Sequence, residues 1–121
     1  MPDLIREPKL FGSPRRTQVL ILLALLGESY PSELTRLLDA QRAAIQYIID
    51  DLELEGIVVS RPLGRTRRLS LNPRYFAAKE LGALLRKLAT ADPALQSVAA
   101  RKRGRPRRKG KQLRRSARSR R

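Results

Sequence analysis

The run VLILLALL, residues 19–26, constrains this chain more than any other feature. Ser13 and Pro14 stand before it and Gly27 after it. Ser caps free N–H groups, Pro is tolerated at the first helical position, and Gly permits the left-handed turn that ends a helix. The spacing therefore predicts a helix through Leu26 whose apolar residues cover nearly the whole circumference. Such a helix is buried on more than one side. In so small a chain that points to a subunit contact, with Leu20 and Leu23 among its residues. The run is far short of the roughly 20 residues that span a bilayer, and Arg15 and Arg16 sit just before it. It is too internal, and lacks a small-residue cleavage site, for a signal peptide. A soluble, cytoplasmic protein with no membrane partner is expected.

A second helix start follows at YPSEL, with Pro31 in the first turn, Glu33 at the positive end, and Leu34, Leu37 and Leu38 on one face. Asp39 interrupts it, being tolerant of the left-handed conformation. A third helix is expected from about Gln41 to Glu55, with Ile45, Ile48, Ile49 and Leu52 at helical spacing, and Gly56 ends it. The period then changes towards two. Residues 57–61 read as a strand, PLGR as a turn around Gly64, and residues 66–71 as the returning strand. Asn72 and Pro73 are expected to open a last helix, closed by Asp92 and Pro93. Ala77, Leu81, Leu84 and Leu88 form a seam on it, suited to pairing with another helix across a homodimer interface.

Helix, helix, helix, strand, strand, helix, with a very short turn between the second and third helices, is the layout of a winged helix-turn-helix. The expected fold class is mainly α with a small β-hairpin. Residues 1–12 form an N-terminal arm, 13–91 the winged helix-turn-helix domain, and 92–121 a linker and disordered basic tail.

Charge divides the chain in the same place. Of 27 Lys and Arg residues, 13 fall in residues 101–121, where there is no acidic residue. Residues 1–100 carry 14 basic and 11 acidic residues, a net of +3 out of the +16 of the whole chain. A nearly balanced domain with an intensely basic tail points to a polyanion, nucleic acid first. Cys and His are absent. That removes disulfides, thiolate and imidazole metal sites, and the usual nucleophile–base pairs of acyl transfer. There is no Gly-rich phosphate loop and no carboxylate pair placed for catalysis. A non-enzyme without metal or cofactor is expected.

The stretches LFGSPRRTQVLILLAL, YPSELTRLLDAQRAAIQYIIDDLELEGIVVSR and GRTRRLSLNP resemble the arsenic-repressor-like (ArsR) group of bacterial winged-helix transcription regulators, over roughly residues 10–90. The E-L-x-x-L-L helix, the L-E-x-E-G-I-V hinge and the G-R-x-R-x-L-x-L-N-P hairpin carry the resemblance through their order and spacing. It implies a homodimer held through the first and last helices, a third helix in the major groove and a wing near the minor groove. The chain departs from the group in having no Cys or His for metal sensing, in Asp39 where Gly is usual, and in Gln41 where Ser or Thr is usual.

With Ile45, Ile49 and Leu52 facing the core, the start of the third helix presents Gln41, Arg42, Ala43, Gln46 and Tyr47. Arg chelates guanine, Gln pairs with adenine, and Ala meets a thymine methyl. Tyr47 suits a phosphate contact or the core equally. Asp50, Asp51, Glu53 and Glu55 would be repelled by phosphates, so only the N-terminal end should enter a groove. The wing carries Arg61, Arg65, Arg67 and Arg68 with no carboxylate among them. Alternation turns Leu69 and Leu71 inward and Arg68 outward, and puts Arg65 at the tip, where it can clamp a phosphate or enter a minor groove. Arg15 and Arg16, in a first helical turn, oppose the helix dipole and call for a compensating anion.

In the tail, Arg103-Gly104-Arg105-Pro106 is the core of an AT-hook, flanked by Lys102, Arg107 and Arg108. Gly lets the backbone approach a groove floor, the two Arg side chains run along an A·T-rich minor groove, and Pro favours an extended chain. The expected function is a sequence-dependent double-stranded DNA-binding transcription regulator located at the bacterial nucleoid. An architectural protein coating A·T-rich DNA, and an RNA- or ribosome-bound winged helix, remain open alternatives.

Overall fold

A computed structural model describes residues 11–104, with side chains as far as Arg101. Seven elements follow one another: α1 (Pro14–Leu26), α2 (Pro31–Leu38), α3 (Arg42–Leu54), β1 (Val58–Leu63), β2 (Thr66–Leu71), α4 (Ala78–Thr90) and α5 (Pro93–Gly104). The described part is mainly helical with one small antiparallel hairpin, compatible with a winged helix.

The central helix starts and stops where its residues dictate. Ser13 Oγ accepts from Arg16 N at 3.1 Å, Pro14 occupies the first turn, and Gly27 takes φ 84° while its N–H returns to Leu23 O at 2.9 Å. Residues 19–23 are all buried. α2, α4, α5 and β2 pack around α1. Leu20 and Leu23, expected at a subunit contact, have 0% and 1% exposure inside the single chain. The helix is apolar all round because its own chain surrounds it; the expectation missed α5, which supplies one of the covering faces. Each fully buried Leu or Ile here contributes on the order of 1.5–3 kcal/mol.

α2 ends at Asp39, which adopts φ 51° and ψ 50°. Ala40 N–H donates to Thr35 O at 3.0 Å, closing the turn that aims α3 away from α2. Ile45, Ile48, Ile49 and Leu52 of α3 are buried as their spacing requires. β1 and β2 pair from Val58↔Leu71 to Leu63↔Thr66, leaving Gly64 and Arg65 as a two-residue turn. Gly64 takes φ 63° at the first central position, where such turns favour Gly.

β1 runs on through Pro62 and Leu63, which were expected in the turn, and two further boundaries differ from expectation. Asn72 does not open a helix: its Nδ2 donates to Gly56 O at 2.8 Å and its Oδ1 accepts from Arg74 N at 2.9 Å, so it ties the hairpin exit to the end of α3. Residues 73–77 are consequently turns, and α4 begins at Ala78. The linker expected from residue 92 is instead α5. Asp92 Oδ1 accepts from Leu95 N at 3.1 Å and Pro93 fills the first position, so the pair starts a helix as well as ending one. Leu95 and Ala99, one turn apart, are buried in the common core.

Candidate nucleic-acid interface

Burial of one face of α3 leaves the other to solvent. Gln41, Arg42 and Ala43 are exposed, Tyr47 is 73% exposed, and Gln46 is half-buried. Tyr47 is therefore not a core aromatic. Gln46 has its amide turned along the helix, donating to Asp50 Oδ1 at 2.9 Å.

The hairpin is less uniformly cationic than its sequence reads, because the fold brings acids to it. Ser29 bridges to Leu69, with paired backbone hydrogen bonds of 3.0 and 2.8 Å, and so lays residues 28–30 alongside β2. Arg61 then donates to Glu28 Oε2 at 2.8 Å. Arg68, expected to point outward, is half-buried, with its guanidinium 5.3 Å from the centroid of the Tyr30 ring and its Nε buried without a hydrogen-bond partner among the described residues. Arg67 ion-pairs with Glu53 of α3. Arg65, at the tip, is exposed and has no partner among the described residues; the same holds for Arg42. The bridge at Ser29 had no sequence signal beyond its place in a short connection, which is why Glu28 and Tyr30 went unnoticed.

Asp51, Glu53 and Glu55 in the acidic half of α3 are paired with Arg residues of the same chain, whereas the exposed Asp50 meets the uncharged amide of Gln46. Arg16 donates to Asp51 Oδ2 at 2.5 Å and to Glu55 Oε1 at 3.1 Å, supplying the compensating anions that its place in the first turn of α1 calls for. Ser60 donates to Glu53 Oε2 at 2.5 Å. Arg15 is held by Gln18 Oε1 at 3.1 Å and Leu38 O at 3.2 Å. These bonds hold both side chains against their own chain, Arg15 through Nη1 alone and Arg16 through both Nη groups.

Between the start of α2, the start of α3 and the hairpin lies an open cleft of about 200 Å³. Arg42, Gln46, Arg65 and Arg67 line it together with Tyr30, Pro31, Ser32 and Thr66, and among the described residues no carboxylate lines it. Neither Tyr30 nor Gln41, the capping residues of α2 and α3, forms a side-chain cap bond. The positive end of α3, with no acid in its first turn, thus borders a surface that is already cationic, while that of α2 carries Glu33.

Of the other expected residues, Ala77 precedes α4 and is half-buried, as are Leu81 and Leu88, while Leu84 is 40% exposed. The backbone of Lys102, Arg103 and Gly104 forms the end of α5, so these three residues are helical here and not part of the extended, disordered tail expected for them. Arg105, Pro106, Arg107 and Arg108 lie outside the described residues. Among the described residues no cluster of acidic side chains is placed to hold a metal ion, and no helix is long and apolar enough to cross a membrane. Comparison of the chain with protein-family models, curated proteins and solved structures found no match.

Proposed function

We propose that this chain is a double-stranded DNA-binding transcription regulator of winged helix-turn-helix type. One observation carries the reading: the unburied start of α3 and the hairpin tip flank a single acid-free, arginine-lined cleft, while every acid of α3 has an internal partner. An α-helix fits the major groove, where Ala43, Gln46 and Tyr47 would meet base edges or backbone. The hairpin, as a wing, would follow the strand towards the adjacent minor groove. A homodimer formed through Leu81, Leu84 and Leu88 of α4 would present two α3 helices to successive grooves. The R-G-R-P segment would add A·T-rich minor-groove binding, at a raised effective concentration because it is tethered.

The test is a titration of the full chain with A·T-rich duplex, G·C-rich duplex and structured RNA at two salt concentrations. Duplex DNA should be preferred, and neutralising on the order of ten phosphates should cost several decades of affinity between low and physiological salt. A flat salt response, or RNA winning the competition, refutes the reading. A genome-wide binding map without sharp sites would convert it to an architectural role on A·T-rich DNA.

A further inference from the structure

The cleft between α2, α3 and the hairpin joins residues that were assigned separate tasks by their sequence positions. Arg42, the first residue of α3, and Arg65, at the hairpin tip, stand 23 positions apart yet line one opening. Neither has a partner among the described residues, whereas Arg67 beside them is held by Glu53. Two unneutralised guanidinium groups facing one small open volume repel each other, and that repulsion is relieved by an anion seated between them. Guanidinium groups match the tetrahedral oxygens of phosphate by donating paired N–H bonds. The Ser32 hydroxyl on the same wall makes no side-chain hydrogen bond among the described residues, and it adds a donor. The open end of α3, which has no acid in its first turn, reinforces the same sign of potential.

We infer that this cleft seats one phosphate group, held jointly by Arg42 and Arg65, and that in the bound state this is a phosphodiester of the DNA strand running between α3 and the hairpin. The second half of the statement rests on the proposed DNA-binding function; the first does not. Arg42 then positions α3 against the backbone and does not read guanine. The clamp sets how far α3 enters the groove, since its two arms belong to the helix and to the hairpin. Phosphate contacts of this kind fix register while carrying no base preference of their own.

The experiment has two arms, both on the full chain, with circular dichroism to establish that Arg42→Ala, Arg65→Ala and the double variant are folded. In the first arm, backbone amide NMR spectra are followed during titration with inorganic phosphate against chloride at equal ionic strength. Saturable shifts at Ser32, Arg42 and Thr66 that vanish in the double variant are expected. Shifts confined to residues 101–121, or unchanged in the double variant, overturn the site. In the second arm, each single variant is titrated with the A·T-rich and G·C-rich duplexes at several salt concentrations. Equal loss on both, with the salt slope reduced by at most about 0.9 in either variant because the two side chains share one phosphate, is the expected result. Loss concentrated on one sequence returns Arg42 to base reading and overturns the clamp. Phosphate binding in the first arm without duplex binding in the second refutes the DNA function and leaves the cleft a seat for free phosphate.

Discussion

Arg67 on β2 donates to one oxygen of the Glu53 carboxylate on α3, and Ser60 on β1 donates to the other at 2.5 Å. Arg67 also reaches Ser60 Oγ at 3.3 Å. One carboxylate therefore joins both strands of the hairpin to the helix beside it. The hairpin would otherwise be a two-stranded ribbon, marginal by itself. Anchored in this way, its tip keeps a fixed offset from the start of α3, which is what a surface using both elements on one ligand requires.

Replacing Glu53 by Ala should free the hairpin without unfolding the core. Both partners are partly solvated, so the stability loss should be about 1 kcal/mol or less. Amide hydrogen exchange should quicken in residues 59–68 and leave α1 unchanged. Unaltered exchange across the hairpin would show that the carboxylate does not hold it.

Much of this arrangement was legible in the residues. Ser13, Pro14 and Gly27 bounded α1, the Ile45, Ile48, Ile49 and Leu52 spacing oriented α3, and β2 spans residues 66–71 as read. These signals are local, depending on a few adjacent side chains. What escaped was set by distant partners. The bridge between Ser29 and Leu69 brought Glu28 to Arg61 and Tyr30 to Arg68, and no periodicity encodes a pairing across 40 positions. Asp92 and Pro93 were visible but ambiguous, since a residue pair that stops one helix also starts another. Reading them only as a stop hid α5, and with it the reason α1 is buried on every side.

Asp39 offers a sharp check on the turn between α2 and α3. It holds φ 51°, a region that costs an L-residue roughly 1–2 kcal/mol and a β-branched residue more. Asp39→Gly should leave the melting temperature equal or slightly raised, because relief of that strain is offset by a more flexible unfolded chain. Asp39→Val should lower stability by about 1–2 kcal/mol. If the two variants melt alike, the turn does not impose this conformation in solution.

Core and subunit roles separate at two leucines. Leu23→Ala opens a cavity in the common core and should cost about 2–5 kcal/mol, a large part of a small domain's stability. Leu84→Lys falls at a partly exposed position on α4 and should leave the fold intact. If α4 forms the dimer seam, sedimentation of the Leu84 variant should report a monomer at concentrations where the parent chain is dimeric. A parent chain that is monomeric throughout removes the dimer from the proposed function.

Arg16 links the start of α1 to the end of α3, and its side chain is only 14% exposed. Arg16→Ala leaves Asp51 and Glu55 facing each other without their shared cation. Since both acids can hydrate, the expected loss is on the order of 1 kcal/mol, measured by urea denaturation. Duplex affinity of the folded variant should fall slightly, because two carboxylates on α3 then confront the phosphates uncompensated. A gain in affinity would mean that α3 does not approach the backbone.

The tail can be tested without disturbing the domain by ending the chain at Gly104, beyond the buried Leu95 and Ala99 of α5. Of the 13 basic residues in residues 101–121, Arg101, Lys102 and Arg103 are kept and ten are removed. Deletion also splits R-G-R-P after its Gly, so a groove-bound hook loses its second Arg and its Pro. Far-UV circular dichroism should show the helical domain retained. If the tail neutralises phosphates, the slope of log affinity against log salt should become shallower by about 0.9 for each phosphate that is no longer neutralised. If the tetrapeptide acts as a hook, the preference for A·T-rich over G·C-rich duplex should disappear at the same time. A shallower slope with the preference intact would assign the tail to charge alone, and the base preference to α3 and the hairpin.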